Sequence, residues 1–119
     1  MSDKSEAETQ DSMEDLTLGG YLKTHKRPPA YEGSDGFPYT VSIEVEQTGD
    51  LRAPVVGYLV FPRWADTGVG IVGHLETPVM WKGASKAEVE SAARASTLMD
   101  VKKMLEHAIL SDTEDGAVA

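Results

Sequence analysis

The sequence contains no cysteine among its 119 residues. Disulfides, thiolate nucleophiles and cysteine-ligated zinc sites are therefore excluded, and a reducing compartment is compatible with the chain. No apolar run approaches the roughly 20 residues of a membrane-spanning helix. The first 15 residues lack the basic and apolar regions of a secretory signal. These absences predict a cytoplasmic protein with no membrane segment.

The net charge of −9 is concentrated at the two ends of the chain. Residues 1–15 hold six acidic residues and one lysine, and residues 111–119 hold three acidic residues and no basic one. The stretch between them is nearly neutral, with ten Lys/Arg and eleven Asp/Glu. We predict disordered acidic ends at 1–15 and 111–119 around a single domain at 16–110. Acidic ends also disfavour nonspecific nucleic-acid binding, which needs Lys and Arg.

Three or four short strands are predicted in the middle of the chain. Residues 39–47 alternate between apolar and polar side chains, which is typical of an antiparallel strand with one wet face. Residues 55–61, VVGYLVF, are apolar on both sides and predict a central strand that is covered on both faces, or at least more buried than the first strand. Residues 69–76 and 79–81 predict further strands, whereas the glycines and prolines of 28–38 predict a loop.

A helical region follows the strands. Ser85 and Glu88 form a capping-box pattern at its start. Its apolar stripe changes direction by roughly 130°, which predicts a break at Ser96–Thr97 with Thr97 as a second N-cap. The fold class is therefore α+β: an antiparallel three- or four-stranded meander, then a broken C-terminal helix or two helices packed on one face. The second stripe would cover either the rest of the fold or a second subunit.

Two stretches of the sequence resemble known families. GYLVFP (57–62) and WKGASKAEVE (81–90) resemble the strand and helix start of HicB-like antitoxin domains. The same junction is similar to that of double-stranded RNA-binding domains, whose order is helix, three strands, helix. The first resemblance implies a helix soon after the strand, but here GVGIVGHLETP (68–78) lies between them. The second implies a second helix whose N-terminus is richer in lysine than this one. The matching residues are Gly83, Ser85 and Glu88. They are mostly helix-capping residues, so we assign the chain to neither family.

The loop after the apolar strand carries Arg63, Trp64 and Asp66. Loops on a rigid sheet often carry function, and Trp together with Arg is typical of a binding hot spot. These three residues are therefore a candidate binding site. The alternative is a tryptophan that packs beneath its own loop, as large aromatic side chains commonly do.

His74 and Glu76 form the second candidate site, because residues two apart on a strand share one face. Together they could ligate a metal, or the carboxylate could orient an imidazole base. The alternative is a structural polar pair on the wet face of the sheet. A metal site would need a third ligand, for which four residues are candidates without diagnostic spacing: His25, Glu44, Asp66 and His107.

One basic cluster precedes the tandem prolines. It could contact a phosphate, an acidic partner or the chain's own acidic tail, or it could be a solvated segment. With residues 82–86 it supports a nucleic-acid-binding hypothesis. Its members are Lys23, His25, Lys26 and Arg27.

No cofactor is predicted. Gly68, Gly70 and Gly73 spell G-x-G-x-x-G, but no helix can begin inside that stretch, as a dinucleotide-binding loop requires. No serine nucleophile elbow, P-loop or H-E-x-x-H pattern occurs. We therefore expect a non-catalytic protein-binding or regulatory module, with a protein partner or self-association. The alternatives are a ligand- or metal-binding enzyme at His74 and Glu76, and a nucleic-acid-binding domain.

Overall fold

The computed structural model describes the backbone of residues 16–118 and the side chains of residues 16–112. The predicted tail at 1–15 therefore lies outside the described residues. In chain order the elements are α1 (Leu18–His25), β1 (Ala30–Glu32), β2 (Pro38–Thr40), β3 (Ser42–Gln47), β4 (Val55–Trp64), β5 (Ile71–Glu76), β6 (Trp81–Gly83), α2 (Lys86–Arg94) and α3 (Leu98–Val118). The last helix thus continues past residue 110, whereas the sequence predicts disorder from residue 111.

The six strands form one antiparallel sheet around β4. On one side of β4 lie β2 and β3, and on the other side lie β5 and β6. The pairs Tyr39–Arg63 and Ser42–Val60 share one register, so β2 and β3 are a single path with a short interruption. Pro62, which has no backbone N–H to donate, lies opposite Thr40, the residue just before that interruption. Three strand paths plus β1, which pairs with β2, confirm the predicted antiparallel meander.

All the helical cover of the described residues lies on one face of this sheet. Alternate residues of β4 point toward it, and among them Leu59 and Phe61 are fully buried. Helix α2 lies over the β3–β4–β6 end, where Val89 packs next to Gly57. Helix α3 covers the other end through Val101, Leu105, Ala108 and Ile109. The α+β fold with C-terminal helices on one face is therefore confirmed.

The predicted break in the C-terminal helical region is also confirmed. The Ser85 hydroxyl accepts the N–H of Glu88 at 3.2 Å to start α2, and the Thr97 hydroxyl accepts the N–H of Asp100 at 2.9 Å to start α3. Thr97 also forms an isolated bridge with Thr17, the N-cap of α1. Both apolar stripes are buried against the sheet, so the second stripe is covered by the fold itself.

Strand β1 was not expected, because the sequence predicts only a loop over residues 28–38. β1 has only three residues, and they show no alternation of apolar and polar side chains from which a strand could be predicted. Contacts with the distant helix α3 hold this segment in place. The Tyr31 hydroxyl donates to the carbonyl of Leu98 at 3.0 Å, and the N–H of Ser34 donates to Glu106 at 3.1 Å. The hydrogen bond from Ser34 lowers the pKa of Glu106 from its ordinary value.

Helix α3 is the longest helix, with 21 residues. Within the described range, neither it nor any other helix is both long and apolar enough to cross a membrane.

Gly57 tests the contact between the sheet and α2. A Cβ atom at this position would lie 2.5 Å from the Cγ1 atom of Val89, and both groups are buried. We expect Gly57→Ala to lower the free energy of unfolding by about 1–3 kcal/mol through overpacking. Urea denaturation measures the change. Gly49→Ala is the matched control, because a Cβ atom there would have no neighbour within 4 Å; equal effects at the two glycines would contradict this contact.

Candidate functional site

The face of the sheet opposite the helices carries an apolar row along β4, which we call the open face. Each of its side chains is half-buried, although no described element covers it. The sequence predicts a strand that is covered on both sides or at least more buried than the first. The described residues cover it on one side only, and it is more buried than β3. The row consists of Val56, Tyr58, Val60, Pro62 and Trp64.

Carboxylates flank this row on the β3 side. Glu44 and Glu46 lie opposite Tyr58 and Val56, so their side chains share the open face. The Tyr58 hydroxyl donates to Glu46 at 2.8 Å, and this hydrogen bond is the main reason that the pKa of Tyr58 is raised to about 12. The Ser42 hydroxyl donates to Glu44 at 2.7 Å. The Tyr58 and Ser42 hydroxyl groups therefore already have hydrogen-bond acceptors within the sheet.

The three loop residues that the sequence groups together are separated by the structure. Trp64 lies at the end of the open face, where its indole N–H donates to the Thr40 hydroxyl at 3.0 Å. Arg63 is the preceding residue of the same strand, so its side chain points to the helix-covered face. Asp66 lies exposed in the turn that follows. Only Trp64 of the three belongs to the open face.

Arg63 takes part in a network on the covered face instead. Its Nε donates to the Tyr39 hydroxyl at 2.7 Å, and that hydroxyl donates to Asp35 at 2.6 Å. The guanidinium lies 3.5 Å from Asp35 and 5.0 Å from the ring centroid of Phe37. Through these contacts Arg63 anchors the β1–β2 turn to the sheet.

His74 and Glu76 lie together on the open face, beside β4. They stand opposite Pro62 and Val60, and the His74 Nε2 atom lies 3.8 Å from a Glu76 carboxylate oxygen. Their side chains are 60% and 51% exposed, so water screens their interaction. Within residues 16–112, no group of three or more histidine or acidic side chains is placed to hold a metal ion. The described structure therefore supplies no third ligand for the metal site that was considered as an alternative.

A groove that sequence reasoning missed lies between the outer edge of β5–β6 and α3; we call it the edge groove. Its volume is about 600 Å³. The segment between β5 and β6 forms one wall, where Val79 and Met80 are 47% and 41% exposed. Met104 and His107 of α3 form the other wall. The only sequence feature that points to this groove is the apolar pair Val79–Met80 after Pro78. That pair was interpreted as part of a further strand.

The basic cluster lies at the C-terminal end of α1, where all four side chains are exposed. Lys26 caps this helix with a left-handed backbone (φ 57°), and the Arg27 guanidinium lies 5.8 Å from the ring centroid of Tyr21. The second basic segment lies elsewhere: Lys82 is on β6, and Lys86 begins α2 and lies 4.0 Å from Glu90. The two basic segments thus belong to different elements.

Comparison with protein-family models, with curated proteins and with solved structures finds no match for this chain.

The hydrogen bonds and burial of Tyr39 predict that the fold loses stability at alkaline pH. Burial, assisted by the hydrogen bond to Asp35, raises the pKa of Tyr39 to about 12. An unfolded tyrosine releases its proton near pH 10. Between these values the unfolded chain loses the proton while the folded chain keeps it, so stability falls as the pH rises.

We expect Tyr39→Phe to weaken this pH dependence. Its free energy of unfolding, measured with urea, should fall less than that of the parent chain between about pH 9 and about pH 11. At neutral pH the variant should be less stable, because Arg63 and Asp35 lose their shared partner. Tyr21→Phe on α1 is the control. Parallel pH profiles for Tyr39→Phe and the parent chain would contradict the assignment.

Proposed function

We propose that this chain is a non-catalytic protein-binding module whose partner binds the open face of the sheet. The uncovered apolar row on β4 is the observation that supports the proposal. A half-exposed antiparallel sheet ordinarily presents polar side chains to water. Here the outward positions of the central strand hold two valines, a proline, a tyrosine and a tryptophan. Tyrosine and tryptophan are also enriched among the residues that dominate binding energy at protein interfaces.

The charges around the row favour a partner with basic side chains. Glu44 and Glu46 flank it on one side and Glu76 on the other, with Lys82 as a cation at the β6 end. An amphipathic helix with lysine or arginine beside its apolar stripe would match both the row and its rim. Helices commonly pack on the face of an antiparallel sheet, so this partner would complete a third layer of the fold.

The same charges argue for protein over nucleic acid on this face. Phosphate backbones are bound by lysine and arginine, and carboxylates repel them. Three glutamates border the row, whereas the exposed basic cluster lies at the end of α1. The open face therefore suits a basic protein segment better than a phosphate backbone.

Val60→Lys tests the proposal, because Val60 lies in the middle of the row. The substitution places a charge within the apolar contact while its backbone still pairs with Ser42. We expect the tagged parent chain to recover a stoichiometric partner from native lysate and Val60→Lys to lose it. Mass spectrometry identifies the recovered protein and its binding segment, which should be a basic amphipathic helix.

Leu51→Lys is the matched control, because Leu51 is 95% exposed in the β3–β4 loop, away from the row. It should retain the partner, and circular dichroism should show that both variants are folded. Recovery of the same partner by Val60→Lys, or its loss with Leu51→Lys alone, would contradict a binding site on the open face.

A further inference from the structure

The outer edge of β5 is free within the described part of the chain. β5 pairs with β4 on one side, and no strand between residues 16 and 118 pairs with the other side. Thr77 donates its N–H to the carbonyl of Leu59, so the backbone bonds to β4 fall on alternate residues from Thr77 back to Gly73. The N–H and C=O groups of His74 and Glu76 consequently point outward, toward the free edge.

This edge has a bulge near its start and a proline just after its end, but it lacks the lysines and inward-pointing charges that also protect free strands. Natural edges are blunted by lysines, prolines or inward charges, and an exposed apolar edge is a template for pairing with another chain. β5 contains no lysine. Val69, Ile71 and Val72, at and just before its start, are 78%, 58% and 57% exposed.

We propose that a second copy of this chain pairs antiparallel with the β5 edge, about a two-fold axis through Leu75. This interface is separate from the open-face row of the proposed function. The segment 71–79 is complementary to itself in that arrangement. Each pair occurs twice by symmetry: Ile71 with Val79, Val72 with Pro78, Gly73 with Thr77, and His74 with Glu76 of the second copy.

Side-chain pairing selects this register over its neighbours. It places the imidazole of each His74 beside the Glu76 carboxylate of the second copy, which can accept a hydrogen bond from a ring N–H. A shift of the axis to His74 would oppose the two histidines and place Glu76 against the apolar Val72. A shift to Glu76 would oppose two carboxylates, which is destabilising.

The edge groove supplies the second match. In the proposed register Ile71 and Val72 of the second copy lie opposite Val79 and Pro78, respectively, which belong to one wall of the groove. The exposed apolar side chains of Ile71 and Val72 would therefore contact apolar residues at the rim of the groove. The same contact repeats on the other side of the axis, as an isologous interface requires.

The edge of β3 provides an internal contrast, since it is also free within residues 16–118. An antiparallel two-fold pairing about Val45 would bring Glu44 against Glu46, and pairing about either glutamate would oppose two identical carboxylates. Self-pairing about the centre of β3 is therefore disfavoured, while the β5 edge is complementary to itself about Leu75.

The chain's own residues 1–15 are a less suitable occupant of the edge. They contain six acidic residues and no apolar run. Glu76 lines the edge groove, and Asp112 lies with it in the adjoining cleft. Like charges would oppose binding of that segment there.

Sedimentation equilibrium of the full chain tests the proposal. The parent chain should form a dimer. His74→Glu should raise the dissociation constant by about tenfold, because both pairs between position 74 and Glu76 become repulsive. The swap His74→Glu/Glu76→His should restore the affinity, since each glutamate again faces a histidine. Leu51→Glu, which adds a carboxylate at an exposed loop position away from the β5 edge, is the control and should dimerise like the parent chain.

Cysteine crosslinking tests the register, because the natural chain has no cysteine. Directly opposed residues lie about 5.5 Å apart between Cα atoms, which a disulfide can span. A mixture of His74→Cys and Glu76→Cys chains should form the mixed disulfide, whereas either variant alone should not, since its cysteines lie roughly 7–8 Å apart.

Three results would overturn the proposal. The first is a parent chain that stays monomeric at about 100 µM. The second is a dimer whose affinity His74→Glu leaves unchanged. The third is efficient crosslinking of His74→Cys with itself, which would place the axis at His74. A monomer that still binds a partner through the open face would refute this inference and leave the proposed function intact.

Discussion

Strand β4 is the element on which the rest of the structure depends, because four of the other strands take their backbone hydrogen bonds from it. Its ten residues provide pairing partners on both edges and buried side chains on the inner face. Leu59 and Phe61 are fully buried there, in one cluster with residues of α1, β2, β5 and α3. A defect in β4 would therefore disturb pairing and core packing together. Pro62 is tolerated in this strand because its missing N–H lies beside the interruption between β2 and β3.

The one-sided cover of β4 follows from how the helices are anchored. The break between α2 and α3 is tied to the start of α1 by backbone bonds, from Leu18 to Ser96 and from Leu98 to Leu16. That junction holds all three helices on the same face, with α2 above one end of the sheet and α3 above the other. No described segment remains to cover the outward row. Its side chains are shielded only by their neighbours in the sheet, which is the physical basis of the binding surface that we propose.

Local patterns predicted the fold better than they predicted the site. The helix break was readable because Thr97 and the rotated apolar stripes act over a few residues, and the hairpins because their strands are adjacent in sequence. β1 depends instead on contacts with α3, about 70 residues away, and so left no local signal. Arg63 and Trp64 looked like one site because they are adjacent, yet adjacent strand residues point to opposite faces. The edge groove joins distant segments and could not be derived from either alone.

The free edges of the sheet differ in a way that bears on assembly. β3 presents glutamates that oppose self-pairing, and β1 covers the edge of β2. β5 has neither protection, but the proline after it has no N–H to extend a ladder. A short edge that is complementary to itself about one axis closes as a dimer, because the single pairing consumes the edge of both copies. An edge of this kind would satisfy its backbone groups without growing into fibres, whereas a longer, uninterrupted apolar edge would not. The two open faces would then lie side by side on one continuous sheet, so dimerisation would enlarge the proposed binding surface rather than compete with it.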